Sequence, residues 1–204
     1  MKIVCVGRNY AKHIAELQNE KPTDPVLFIK PDTAILPPRN PLYLPEFAQE
    51  FHYEVELIVK ISKMGKHIAP EFAPRYYDEI GLGLDITARD LQAKLKAKGL
   101  PWEKAKAFDN SAVVSPKFLP KTQFEDLNNI QFSLQRNDKV VQEGHTAEML
   151  WKIDELIAYI SKFFTLKKGD LIFTGTPAGV GKMNINDSFV GFIETKEMFR
   201  VNVK

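Results

Sequence analysis

Apolar and polar side chains alternate over most of residues 51–61. Phe51, Tyr53, Val55, Leu57, Val59 and Ile61 share one phase, and His52, Glu54 and Glu56 share the other. A period of two predicts a strand with one apolar face, its other face carrying two carboxylates and an imidazole. Apolar runs at 2–6, 26–29, 80–86, 130–136, 139–142, 171–174, 188–194 and 199–203 predict further strands. Asn137-Asp138 predicts a hairpin between two of them. Gly81 and Gly83 mark a place where backbone or ligand can approach closely. Met149, Leu150, Ile153, Leu156, Ile157, Ile160 and Phe164 recur at helical spacing and predict an amphipathic helix with its stripe in the core. Shorter helices are expected at 10–18, 71–77 and 88–98, the last stopped by Gly99. A polar loop is expected at 19–25. Pro31, Pro37, Pro38, Pro41 and Pro45 exclude a long helix and predict an extended loop with short edge strands. Strands dominate and do not alternate regularly with helices, so the expected class is α+β rather than a doubly wound sheet.

Length and charge narrow this further. The 204 residues suit one domain, 1–204, without internal repeat or linker. A net charge of +2 gives no electrostatic case for nucleic acid or a membrane surface. Cys5 is the single cysteine, so no intrachain disulfide can form and a reducing compartment is expected. Within Ile3-Val4-Cys5-Val6 it reads as a small buried hydrophobe. No signal peptide is visible, and no apolar stretch approaches the ~18 residues of a membrane span. The expectation is a soluble cytoplasmic protein. Lys94, Lys96 and Lys98 read as a solvated helix face.

Several groups could carry chemistry. Glu54 and Glu56 on one strand repel unless a cation lies between them or water covers them; a hard divalent ion and a solvated edge both fit. Asp85 ends a strand before Thr87, as a third carboxylate ligand or as a helix cap. His13 and Glu16 lie three apart, so a helix sets them on one face as an oriented general base or as an ordinary surface pair. Lys106 is a candidate cation beside the metal, or a surface lysine. The segment Thr174-Gly175-Thr176-Pro177-Ala178-Gly179-Val180-Gly181-Lys182 fails as a phosphate loop. Its Gly-to-Gly-Lys gap is one residue too long, and Met183 stands where Ser or Thr must bind Mg²⁺. A tight turn offering backbone N–H and the Thr176 hydroxyl to a carboxylate is what remains.

Eight segments in order resemble the fumarylacetoacetate hydrolase family. They are Val6-Gly7-Arg8-Asn9-Tyr10, His13-x-x-Glu16, Leu27-Phe28-Ile29-Lys30-Pro31, His52-Tyr53-Glu54-Val55-Glu56, Leu84-Asp85-Ile86-Thr87-Ala88-Arg89-Asp90-Leu91-Gln92, Gly99-Leu100-Pro101-Trp102, Ala105-Lys106-Ala107-Phe108 and Thr174-Gly175-Thr176-Pro177. The likeness is nearest the short acylpyruvase and oxaloacetate decarboxylase branch, without the extra N-terminal domain of longer members. It implies a mixed β-sheet roll, a homodimer and a Mg²⁺ or Mn²⁺ site. Position by position, it implies Glu54, Glu56 and Asp85 as metal ligands. His13 and Glu16 become a catalytic dyad on a mobile lid, residues 10–24. Arg89, Gln92, Lys106 and Thr176 hold a 2-oxo acid, with Arg8 beside the site.

The expected reaction is hydrolysis of a C–C bond in a 2,4-dioxo acid such as an acylpyruvate or fumarylpyruvate. A metal-stabilised enolate would form, with His13 activating water and pyruvate as one product. The same enolate serves an oxaloacetate decarboxylase or tautomerase, or an isomerase of an unsaturated 2-oxo diacid. A non-catalytic protein that binds 2-oxo acids with metal is an alternative of another class.

Overall fold

The computed structural model describes residues 1–17 and 20–204. Its first half contains β1 (Lys2–Gly7), α1 (Ala11–Glu16), β2 (Val26–Pro31), β3 (Phe51–Tyr53), β4 (Val55–Ile61), β5 (Tyr77–Asp85), β6 (Thr87–Ala88) and α2 (Arg89–Ala97). Then come α3 (Glu103–Lys106), β7 (Ala112–Val114), β8 (Leu119–Pro120), β9 (Gln131–Arg136), β10 (Lys139–His145), α4 (Ile153–Phe163), β11 (Leu171–Phe173), β12 (Gly181–Lys182), β13 (Ser188–Ile193) and β14 (Lys196–Asn202).

The largest sheet runs β2-β1-β11-β4-β5-β7, with β8 also on β5. It is mixed: β1 and β11 are parallel and its other pairs antiparallel. A second sheet runs β10-β9-β13-β14 and a third β12-β3-β6. The strand-dominated α+β reading therefore holds. Among the described residues no helix is long and apolar enough to cross a membrane.

Both faces of β4 are covered, which the alternating pattern alone did not require. Val55, Leu57, Val59 and Ile61 enter the main core. Ile58, on the opposite face, joins Ile3, Cys5, Ala112, Leu171 and Phe173 in a smaller cluster. Each such fully buried aliphatic side chain is worth about 1.5–3 kcal/mol. Cys5 is buried and unpaired as expected, and burial pushes its thiol pKa up.

Several elements depart from their expected bounds. The 51–61 strand breaks at Glu54, where the chain passes from the third sheet into the first. The long amphipathic helix begins only at Ile153, because the preceding residues are held elsewhere. Met149 bridges to Tyr10, and Asn9 takes the N–H groups of Leu150 and Trp151. Glu155 then accepts the Lys152 N–H at 2.7 Å and caps the first turn. The expected helix at 71–77 is a 3₁₀ segment, Pro70–Arg75, because Pro74 cannot supply an α-helical N–H; Tyr77 already belongs to β5. The first helix ends at Glu16, and Gln18 and Asn19 lie outside the described residues. The loop at 31–45 opens with a short 3₁₀ turn and otherwise makes single bridges at Ile35 and Leu42. At the hairpin, Asn137 and Asp138 take φ of 50° and 64°, as a two-residue turn demands.

Candidate metal centre and active site

The site forms where two paired strands break together. Beyond the Val55–Leu84 pair, the Asp85 N–H still reaches the Glu54 carbonyl at 2.9 Å. The next donors turn away from the ladder: Val55 N–H goes to Gln142 Oε1 at 2.9 Å and Ile86 N–H to the Ser111 carbonyl at 2.8 Å. Glu54 and Asp85 thus face each other at the break, and Glu56 lies one pleat further in. Ligand-capable oxygens of Glu54, Glu56 and Asp85 lie within 4.8 Å of one another, and all three residues are buried. Glu56 pairs with Gly83, whose absent Cβ would sit 2.2 Å from the Val113 carbonyl, so only glycine lets β7 close here.

Cations hold the cluster unequally. Lys106 Nζ bridges Glu54 Oε2 and Asp85 Oδ2, each at 2.8 Å, and donates to Thr87 Oγ1 at 2.5 Å. Arg89 donates to Glu54 Oε1, and to Gln92 Oε1 at 2.8 Å. Lys30, buried on β2, lies 2.9 Å from Asp85 Oδ1. Its three protons go instead to the Lys106 carbonyl, the Ser111 carbonyl and Ser111 Oγ. Asp85 Oδ1 is therefore buried without a hydrogen-bond donor.

Burial pushes Glu54 up, but Lys106 and Arg89 outweigh it and hold its carboxyl well below the usual range. Glu56 goes the other way. Burial raises it, and the Asp85 and Glu54 charges raise it further, against weaker opposition from Lys106 and the Gly175 N–H. Burial lowers Lys106, yet Asp85 and Glu54 prevail and keep it charged. A carboxylate oxygen with an ion-pair partner in Lys30 but no hydrogen-bond donor, beside a carboxylate whose neighbours' negative charges disfavour its ionised form, fits a hard divalent cation, whose charge would satisfy both.

The remaining predicted residues converge on the same pocket. His13, Arg8, Arg89, Gln92, Lys106 and Thr176 line it with the three carboxylates. His13 is buried on α1, and its Nδ1 lies 3.2 Å from Glu16 Oε2. Glu16 Oε1 accepts the Gly179 N–H at 3.0 Å, which locks the carboxylate to the glycine-rich segment. That segment is not a phosphate cradle: the Gly175 N–H points at Glu56 Oε2, 2.7 Å away. Gly175 has φ +103°, and a Cβ there would meet Asn9 Cβ at 2.7 Å. The cavity is small, about 50 Å³.

Residues to which the sequence reading gave no role at the site support this pocket. Lys30 sat in an apolar strand run, an unusual place for a lysine and the one signal available. His52 turns out to accept from Arg89 Nε at 3.4 Å, outside the carboxylate trio. Gln142, on β10, gave no signal. Its Oε1 accepts the Val55 N–H while its Nε2 donates to Thr176 Oγ1 at 2.9 Å and to the Pro177 carbonyl at 3.0 Å. An N–H on one side and a carbonyl on the other fix the amide's orientation. The Thr176 oxygen therefore receives a proton from Gln142, and its own hydroxyl proton is left to donate. Lys96 lies on the α2 face of Arg89 and Gln92 and lines the pocket mouth, so the expected solvated face is also a site face.

The chain belongs to the fumarylacetoacetate hydrolase family: the family model described as fumarylacetoacetate (FAA) hydrolase C-terminal matches residues 2–203. Oxaloacetate tautomerase YcgM of Escherichia coli (strain K12) is 49% identical over 91% of this chain and 85% of its own length. A mitochondrial oxaloacetate decarboxylase of Dictyostelium discoideum is 43% identical over 88% of this chain and 83% of its own. Fumarylpyruvate hydrolase from Pseudomonas aeruginosa, solved with Mn²⁺ and pyruvate, superposes with a TM-score of 0.93 at 36% identity, covering 100% of this chain and 89% of that one.

Proposed function

We propose a metal-dependent enzyme that enolises a small 2-oxo diacid, with oxaloacetate tautomerisation or decarboxylation as its main activity. These relatives support that reading better than the hydrolysis expected from the sequence. Its carrying observation is the buried Glu54–Glu56–Asp85 trio beside the His13–Glu16 pair. A divalent ion held by the trio, Mg²⁺ or Mn²⁺, would supply Lewis acidity toward the 2-oxo oxygen.

The chain's own groups do the rest. Thr176 and Gln92 donate to the substrate's C1 carboxylate, and Arg89 and Lys106 balance its charge. Glu16 accepts the Nδ1–H of His13, leaving the Nε2 lone pair toward the ligand. Nε2 takes a C3 proton, the C–H electron pair forms the C2–C3 double bond, and the 2-oxygen gains the charge and then a proton. The lid at 10–24 would close over this. A homodimer in a reducing compartment such as the cytoplasm completes the proposal; light scattering at the 23.3 kDa of one chain would remove the dimer.

Enol absorbance of oxaloacetate, followed with Mg²⁺ and with EDTA, tests the activity. Metal-dependent equilibration without CO₂ supports the tautomerase, and pyruvate with CO₂ the decarboxylase. Cleavage of acetylpyruvate alone would restore the hydrolase. Mg²⁺ at a hundred times its Kd should stabilise the fold by about 2.7 kcal/mol, read as a higher Tm; an unchanged Tm would remove the metal site.

Gln142→Glu is expected to weaken Mg²⁺-dependent oxalate binding about 10- to 100-fold by calorimetry, since the carboxylate would capture the Thr176 proton that the ligand needs. In a Thr176→Val background it should add little. An equal loss there would show that Gln142 acts only through the fold.

A further inference from the structure

His52 is the imidazole of the 51–61 stretch that the carboxylate trio leaves unused. Phe51 and His52 on β3 pair with Ala88 and Thr87 on β6, which sets His52 beside the first turn of α2. The same segment clasps that turn through its backbone. The Arg89 N–H reaches the Glu50 carbonyl at 2.7 Å, and the Gln49 N–H reaches Asp90 Oδ2 at 3.2 Å.

The side-chain contacts around His52 run in one determined direction. Arg89 Nε can only donate, so His52 Nδ1, 3.4 Å away, must accept. The ring proton is then on Nε2, which donates to Glu50 Oε1 at 2.8 Å. Glu50 thereby selects the tautomer that Arg89 needs. Further along, Arg89 Nη1 donates to Gln92 Oε1 at 2.8 Å and Nη2 donates to Glu54 Oε1. With its oxygen turned to Arg89, the Gln92 amide has N–H groups to present on its other side. Among the described residues, His52, Gln92 and Glu54 take one guanidinium N–H each. One N–H on each terminal nitrogen remains. Arg89 and Gln92 line the pocket, and His52 stands behind them.

We infer that His52 is a positioning residue. Held in one tautomer by Glu50, it fixes the plane of the Arg89 guanidinium, and through Arg89 the Gln92 amide, so that both turn N–H groups to the substrate's carboxylate. The inference rests on the metal-dependent reading and adds what orients its carboxylate-binding pair. Glu54 alone would hold one terminal nitrogen of a long side chain. With Nε anchored as well, the fork is pinned from two sides before the ligand arrives.

Variants at position 52 separate this contact from packing. His52→Asn sets an amide oxygen close to where Nδ1 lies and can still accept from Arg89. His52→Gln sets its amide close to Nε2 and keeps only the Glu50 side. His52→Phe keeps a ring and loses both. Calorimetry with Mg²⁺ and oxalate should show affinity about tenfold lower in His52→Phe and His52→Gln, the value of one charged hydrogen bond, and within about threefold of wild type in His52→Asn. In an Arg89→Lys background, which has no Nε–H to anchor, His52→Phe should add little. Without ligand, ¹⁵N NMR of the wild-type imidazole should show a bare Nδ1 and a protonated Nε2. Equal losses in all three variants would overturn the inference, as would an undiminished loss on top of Arg89→Lys; either would show that His52 acts through packing. A proton on Nδ1 would overturn it directly. No Mg²⁺-dependent oxalate binding by wild type would remove the metal-dependent reading and this role with it, even with the tautomer as expected.

Discussion

Asp85→Ala is expected to cut metal-dependent turnover by about a thousandfold, since Lewis-acid stabilisation of several kcal/mol converts at about 1.4 kcal/mol per factor of ten. It should also destabilise the fold. Lys30 is fully buried 2.9 Å from Asp85, and Lys106 Nζ bridges to its other oxygen. Breaking a buried pair from one side costs about 3–5 kcal/mol, because the partner's charge is left uncompensated. Loss of activity in this variant alone is therefore ambiguous. Asp85→Ala with Lys30→Met removes the stranded ammonium and should recover part of the lost Tm. Recovery stays partial, because the carbonyls of Lys106 and Ser111 each lose one of their donors. Turnover should not recover at all. Melting curves and Mg²⁺-dependent rates on both variants separate the two effects. Turnover retained in Asp85→Ala, or regained in the double variant, would remove Asp85 from the metal site.

The strand carrying Glu54 and Glu56 was legible because a period of two survives any later arrangement of sheets. Its break at Glu54 was not, since it depends on Gln142, far along the chain, taking the Val55 N–H. The same limit explains the late start of α4. Helical spacing extends back to Met149, but Asn9 and Tyr10 claim those residues through contacts across the molecule. α3 is four residues long, shorter than any periodicity can register, yet it delivers Lys106. The roles of the site residues came from ordered motifs rather than from spacing, and all of those residues except Glu16 line one pocket. Lys30 and Gln142 escaped because their roles are set by what buries them. Lys96 was assigned to solvent correctly but incompletely: on a helix, the face it shares with Arg89 and Gln92 decides what it looks onto.

His13→Ala is expected to lower tautomerisation about 10²- to 10⁴-fold, the usual contribution of a positioned general base, while Mg²⁺ still raises the Tm. Glu16→Gln should approach the same loss by a different route. Glutamine can still accept the Gly179 N–H, so the loop contact survives. Its amide would donate to Nδ1, however, and move the imidazole proton to Nε2, where the base must be empty. The two losses should therefore not add in the double variant, since each removes the same lone pair. Decarboxylation makes a different demand. When CO₂ leaves C3, its bonding pair becomes the enolate and no C–H proton has to be taken. His13→Ala should thus keep most of any CO₂ release while losing tautomer exchange. Measuring both rates on one preparation tells the activities apart within a single pocket. Equal loss of both would mean that His13 shapes the site rather than moving the proton. Unchanged tautomer exchange would remove the dyad from the mechanism altogether.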